Sequence, residues 1–330
     1  MKRLAIVGGG SWGTALAVAL SSRCADIRLW VYESDLAERM AATRENDIFL
    51  PGVQLPANIT PTASLETTLD APDIVLSVMP SHHVRGLSAR MARLLHPQTP
   101  LVSATKGIEN HTLQRTSEVL ADVLGGPERI AVLSGPTFAR EIAQGKPAAV
   151  VIASTNETLA TTIQSAFCTP TLRLYTNTDP IGVEVGASLK NVIAIAAGVC
   201  DGLQLGSNAT AALITRGLAE ITRLAIAMGG KPLTLMGLAG LGDLVLTCTG
   251  QLSRNRTLGQ NLAAGKPLAD LLASTRMVAE GVQTTYAALD LGHKFQVDLP
   301  IIAQVGAILS GDKSPVDALR HLMDRALKGE

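Results

Sequence analysis

Lys190 stands in Glu184-Val185-Gly186-Ala187-Ser188-Leu189-Lys190-Asn191. At helical spacing Gly186, Ala187, Ile193 and Ala194 lie one turn away, and Val183 and Ala197 extend the same small, apolar stripe. Desolvation there disfavours the ammonium, so the amine is suited to exchange a proton near neutral pH. The competing arrangement is a lysine whose stem covers apolar surface while its amine reaches water. Lys106, in Ser103-Ala104-Thr105-Lys106-Gly107, follows a predicted strand, and open α/β sheets place ligands at strand carboxyl ends. A solvated loop lysine is the alternative. Ser134-Gly135-Pro136-Thr137-Phe138-Ala139 follows another strand, where the Gly-Pro corner aims the Thr137 hydroxyl across the same crevice unless it is a bare turn. Asp243 is the one carboxylate in Gly237-Leu238-Ala239-Gly240-Leu241-Gly242-Asp243-Leu244. Buried there it needs a cation or several amides, with Lys190 as candidate; a helix N-cap is the structural alternative. In Ser253-Arg254-Asn255 the serine reads as an N-cap, so a helix start and the Arg254 fork would face a phosphate.

A second kind of chemistry is written near the amino terminus. Gly8-Gly9-Gly10-Ser11-Trp12-Gly13 fits G-x-G-x-x-G directly after a strand and opens a helical segment, Ser11 to Ser22. Gly8 permits the tight turn, Gly10 lets a pyrophosphate approach backbone, and Gly13 lets the helix pack on the strand. Tyr32-Glu33 ends the second strand, with Glu33 twenty positions past Gly13, where an acid bonds the ribose 2′-hydroxyl of NAD. Arg39 and Arg44 follow and could meet the 2′-phosphate of NADP, so both cofactors stay open. His82-His83 has no carboxylate at ligand spacing and no H-E-x-x-H occurs, which disfavours a metal site.

These residues need a scaffold, and the chain has the length for one of two domains: 330 residues, 47% apolar and 17% charged. Short apolar runs alternate with helical stretches through residue 178, the pattern of a parallel sheet with helices on both faces. The predicted strands are Leu4 to Val7, Ile27 to Tyr32, Ile74 to Met79, Pro100 to Ala104, Ile130 to Ser134, Ala148 to Ala153 and Leu172 to Thr176. After Asp179-Pro180, an N-cap and first helical position, strand-like runs stop. The expected fold is α/β, a Rossmann-type doubly wound sheet in a dinucleotide-binding domain, 1–179, followed by an all-helical substrate-binding domain, 180–330. Lys and Arg total 28 against 28 Asp and Glu, and aromatics are 3%, so neither a cationic field nor stacking platforms suggest nucleic acid. The four cysteines form no C-x-x-C pair, as in a reducing compartment. Leu4 to Val7 is too short for a signal-peptide core, and no window of about 20 apolar residues is free of charge. A cytoplasmic protein without membrane insertion is the expectation.

Taken together, the segments resemble the soluble NAD(P)-dependent glycerol-3-phosphate dehydrogenases of the bacterial biosynthetic type. The resemblance is carried by the glycine turn with Thr14-Ala15, by Met79-Pro80-Ser81-His82, and by the segments around Lys106, Gly135-Pro136-Thr137, Lys190-Asn191, Asp243 and Ser253-Arg254-Asn255. It implies reversible hydride transfer between NAD(P)H and dihydroxyacetone phosphate, giving sn-glycerol 3-phosphate for glycerophospholipid synthesis, with Lys190 as proton donor and acceptor. It implies substrate contacts at Lys106, Gly135, Thr137, Lys190, Asp243, Ser253, Arg254 and Asn255, and catalytic roles for Lys106 and Asp243 beside Lys190. For the NAD or NADP cofactor it implies Ser11, Trp12, Tyr32, Glu33, Lys106, Ala139, Arg254, Val278 and Glu280, with Gly8, Gly10 and Gly13 from the turn. A small phosphorylated substrate and a homodimer complete that expectation. A β-hydroxyacid or UDP-sugar dehydrogenase of the same architecture, or a non-catalytic NAD sensor, is the alternative; Ser253-Arg254-Asn255 placed for phosphate favours the first reading.

Overall fold

The computed structural model describes residues 1–273 and 280–326. Its strands, in chain order, are β1 (Arg3–Val7), β2 (Asp26–Trp30), β3 (Glu45–Asn46), β4 (Leu50–Gln54), β5 (Ile59–Thr62), β6 (Ile74–Ser77), β7 (Leu101–Ser103), β8 (Ile130–Ser134), β9 (Ala148–Ala153) and β10 (Leu172–Asn177). Eight of them form one sheet in the order β10-β9-β8-β7-β6-β1-β2-β5, while β3 and β4 make a small antiparallel pair. Leu4 and Ile6 of β1 enter one core and Ala5 and Val7 the other, so both faces of the sheet are covered and the strand reads as an unbroken apolar run. From β1 the chain passes first to β2 on one side and later to β6 on the other, which makes the carboxyl ends of β1 and β6 a topological switch point.

Two expectations about the sheet need correction. Strand β9 runs antiparallel to β8, so the sheet is mixed rather than parallel throughout. The connection between them holds only a five-residue helix, Ala139–Ala143, too short to carry the chain back across the sheet as a parallel crossover requires. Strand β5 was absent from the sequence reading because Ile59-Thr60-Pro61-Thr62 is short and interrupted by proline. It lies at the sheet edge, where a residue without an N–H is tolerated.

Beyond β10 the described chain is helical. Asp179 caps the helix Pro180–Gly202 by accepting from the Gly182 N–H at 2.9 Å, with Pro180 in the first position. This central helix is long and apolar enough to cross a membrane by length and composition, although Glu184, Lys190 and Asp201 interrupt it with charge. Its apolar window is wholly buried inside the protein, among the helices Gly206–Ala227, Asp243–Thr249, Arg254–Ala263 and Glu280–Phe295. The helix Arg254–Ala263 lies closest: a Cβ at Gly259 would collide with the Ile195 carbonyl, and one at Gly198 with the Arg256 carbonyl. Glycine at both faces therefore sets how near Arg254 comes to the helix that carries Lys190.

Candidate active site

The reactive groups come from strand ends and helices that meet over one edge of the sheet. Strands β6, β7 and β8 are parallel, so the segments after them emerge together, and the β7 segment delivers Lys106. Its Nζ lies 2.8 Å from Asp243 Oδ2, 3.3 Å from the Gly135 carbonyl and 3.4 Å from Thr137 Oγ1. Lys190, 5% exposed, donates to Asp243 Oδ1 and, at 2.8 Å, to Thr247 Oγ1. Asp243 is fully buried, and each of its oxygens answers a different lysine. It follows a π-helical turn, Leu238–Gly242, a tight insertion of the kind that re-aims side chains at functional sites. Asp243 is the first residue of its helix and Gly242 takes the cap position, so the capping alternative for this carboxylate does not hold.

Two ammonium groups against one carboxylate leave the cluster one negative charge short. Burial pushes the Lys190 amine down to about 7, with Lys106 acting in the same direction and Asp243 opposing. Thr247 was not found from the sequence, although its signal was present: four residues after Asp243, it shares a helix face with it. The Thr247 hydroxyl donates to the Asp243 carbonyl at 2.6 Å, which turns its lone pairs toward Lys190. Lys190 thus has a fixed direction as well as a shifted proton affinity.

The glycine turn fits a dinucleotide. Gly8 has φ +127°, and a Cβ there would meet the Val78 carbonyl oxygen at 2.5 Å, while a Cβ on Gly13 would collide with the Gly8 carbonyl. Gly10 has nothing within 4 Å of that position, so open space stands over the start of the helix Ser11–Leu20, whose cap supplies no side-chain acceptor. Trp12 Nε1 is buried without a partner among the described residues. An open cradle, free first-turn amides and an orphaned donor together suit a pyrophosphate. Asn46, from the segment between β2 and β5, donates to the Gly9 carbonyl and to Thr14 Oγ1, both at 2.8 Å, and so braces the turn. Nothing in the local sequence around Asn46 announces that role.

The remaining predicted residues are distributed unevenly. Tyr32 is 76% exposed, and Glu33 is exposed at the amino end of the helix Ser34–Thr43, both at the carboxyl end of β2. Arg39 is held by Asp35 at 2.9 Å and Asp47 at 3.3 Å, and Arg44 donates to the Leu55 and Pro56 carbonyls. Ala139 begins the short helix after β8 and packs on the sheet core. Ser253 caps its helix by accepting from the Arg256 N–H at 3.3 Å, and Asn255 Oδ1 accepts from the Gly281 N–H at 3.2 Å. Arg254 is exposed; surrounding protein lowers its proton affinity while Glu280 opposes. Glu280 Oε2 accepts from Ser81 Oγ at 3.0 Å and Oε1 from the Ser81 N–H at 3.3 Å, which ties the helix Glu280–Phe295 to the segment after β6. Burial raises the Glu280 carboxyl, opposed by Ser81 and Arg254. Val278 lies outside the described residues. Among the described residues no group of three or more His, Cys, Asp or Glu is placed to hold a metal ion.

Comparison with known proteins shows the family. The family models for the NAD-dependent glycerol-3-phosphate dehydrogenase N-terminus and C-terminus match residues 3–160 and 179–320. The chain is 54% identical to a glycerol-3-phosphate dehydrogenase [NAD(P)+] of Koribacter versatilis, over 98% of each chain. It is 51% identical to the enzyme of that name from Geobacter sulfurreducens, over 100% of this chain and 99% of the other. Its fold is similar to the crystal structure of the Coxiella burnetii glycerol-3-phosphate dehydrogenase, with TM-score 0.94 and 40% identity over 98% of this chain and 99% of that one.

Proposed function

The chain belongs to the NAD-dependent glycerol-3-phosphate dehydrogenase family, and from that premise we propose how its own residues carry out the reaction. The enzyme is an NAD(P)-dependent oxidoreductase that interconverts sn-glycerol 3-phosphate and dihydroxyacetone phosphate. The bound nicotinamide supplies or accepts the hydride at C2 of the three-carbon substrate. Lys190 moves the proton. During reduction its ammonium polarises the carbonyl and donates from Nζ to the forming alkoxide; during oxidation the neutral amine takes the hydroxyl proton back. Asp243 and Thr247 hold Nζ in direction, and Lys106 adds positive potential at the same oxygen. Arg254 and the first turn of its helix bind the phosphate, with Thr137, Gly135, Ser253 and Asn255 shaping that end. Gly8, Gly10, Ser11, Trp12 and Gly13 take the pyrophosphate side of the cofactor, and Tyr32, Glu33, Ala139, Val278 and Glu280 its remaining length.

The observation that carries this reading is that buried Lys190 and partly buried Lys106 share the fully buried Asp243, with the Lys190 amine down at about 7. A structural ion pair needs one cation, and a buried excess of positive charge invites an anion. Residues 1–179 would form the dinucleotide-binding domain and 180–330 the substrate-binding domain, supported by the end of β10 at Asn177 and the helical chain that follows. A cytoplasmic setting is supported by four unpaired cysteines, and a homodimer by exposed Leu233, Met236, Leu241 and Val245 in one stretch of chain. The product would feed glycerophospholipid synthesis. Oxidation of NADH and NADPH with dihydroxyacetone phosphate tests the activity, and sedimentation tests the dimer. No turnover with either cofactor would refute the first, and a monomer at micromolar concentration the second.

A further inference from the structure

A buried polar chain, separate from the groups assigned to substrate, joins strand β7 to the central helix. Ser103, the last residue of β7, and Thr116 have hydroxyl oxygens 2.9 Å apart. Thr116 donates onward to Glu184 Oε1 at 2.9 Å, so Ser103 is the donor in the first link. Glu184 Oε1 also accepts the Ser117 N–H at 2.8 Å, and Oε2 accepts from Arg115 Nη1 at 2.5 Å and Ser117 Oγ at 2.6 Å. One carboxylate, 2% exposed, thus collects four donors. It belongs to the central helix, yet it satisfies a first-turn amide of the helix Thr116–Leu124, 67 residues earlier in the chain.

The ends of this chain lie close in sequence to the two lysines. Ser103 is three residues before Lys106, and Glu184 is six before Lys190. Six helical residues advance about 9 Å and leave the two side chains on faces about 120° apart, so Glu184 grips the helix from a side that Lys190 does not use. We propose that Glu184 is a positioning residue: its contacts with Arg115, Thr116 and Ser117 set the rotation and axial register of the central helix against β7, and with them the Lys106-to-Lys190 spacing that Asp243 bridges. This inference rests on the reading of Lys190 as the proton-transfer group. A misplacement of about 1 Å at a reacting group costs on the order of a hundredfold in rate, so a remote contact that fixes register shows itself in turnover.

The experiment compares the full-length enzyme with Glu184→Gln, which turns an amide nitrogen toward donors and leaves Arg115 with Glu118 as its one remaining carboxylate partner, and with Thr116→Val, which removes the hydroxyl that links Ser103 to Glu184 while the Arg115 and Ser117 donors stay. In Glu184→Gln, kcat falls by about tenfold or more and in Thr116→Val by about threefold, while the NADH Kd stays within about twofold in both. The pH midpoint of turnover also moves by about half a unit or more in Glu184→Gln, because Asp243 no longer faces Lys190 as before. Wild-type kcat and midpoint in folded Thr116→Val, with only the thermal midpoint lowered, would overturn the proposal even if Glu184→Gln fails to fold. The acid/base reading has its own test: added methylamine restores turnover to Lys190→Ala if that reading holds. Absence of rescue overturns the role of Lys190, whereas failure of the positioning role is read in the Glu184 and Thr116 variants.

Discussion

Lys190 and Glu33 sit over the same edge of the sheet under opposite physical conditions. Lys190 is 5% exposed and fixed by Asp243 and Thr247, which are themselves fixed by Lys106 and by the backbone of the helix Asp243–Thr249. Glu33 is exposed, and it makes no side-chain cap bond to the helix it precedes. At the first position a change disturbs several partners, each costly to leave buried and unpaired. At the second it disturbs water. The proton-transfer end of the site is therefore over-determined and fragile, while the adenosine end is held by little and open to revision at small cost in stability.

The sharpest way to break this contrast is Lys190→Ala. Turnover falls by about 10² to 10⁴-fold, the usual contribution of a positioned proton-transfer group, while cofactor binding stays close to wild type. Lys190→Arg fails as well, since a guanidinium does not release its proton at working pH. Loss confined to KM, or an active arginine variant, would remove Lys190 from the chemistry.

A proton affinity lowered to about 7 also gives the two directions opposite pH dependence. Reduction needs the ammonium, so its kcat/KM declines as pH rises through about 7; oxidation needs the free amine, so its kcat/KM climbs over the same interval. Each limb changes by about tenfold per pH unit beyond its midpoint. Profiles in both directions with one shared cofactor check this, and limbs of the same sign would contradict it.

The sequence disclosed these two ends by different routes. Lys190 was visible because a charge on an apolar helical stripe is an anomaly, and Asp243 because a carboxylate amid glycines and leucines needs a partner. Lys106 was placed by strand position alone, and the structure brings it to that same carboxylate. Thr247 and Asn46 were not seen, because a threonine in a helix and an asparagine in a connection are ordinary until the fold puts an amine or a glycine carbonyl beside them. The antiparallel turn at β9 was hidden for a related reason. Strand direction depends on how far the connection reaches, and the apolar content of the strand says nothing about it.

Arg254 lies between the two extremes, exposed but on a helix packed tightly against the catalytic one through Gly198 and Gly259. Arg254→Ala weakens kcat/KM for dihydroxyacetone phosphate by about ten to a hundredfold more than for unphosphorylated dihydroxyacetone, the span expected when a charge-assisted hydrogen bond to a phosphate is lost. Equal damage to both substrates would assign Arg254 to the cofactor or the fold instead.

The smallest effect belongs to Glu33, and it tests the other half of the contrast. Its carboxylate stands at the end of β2, where on the proposed reading it would accept from a ribose 2′-hydroxyl and repel a 2′-phosphate. The arginines that would reverse this preference are occupied: Arg39 by Asp35 and Asp47, and Arg44 by the Leu55 and Pro56 carbonyls. NADH is therefore used at least as well as NADPH by the unmodified enzyme. Glu33→Ser removes one exposed charge, so kcat/KM for NADPH relative to NADH rises by about three- to tenfold, about 1 kcal/mol, with thermal stability unchanged. A native preference for NADPH of about tenfold or more, 1.4 kcal/mol in transition-state binding, would show that an arginine leaves its carboxylate or carbonyl partners to cover the ribose, and the rim would then be as tightly specified as the buried lysines.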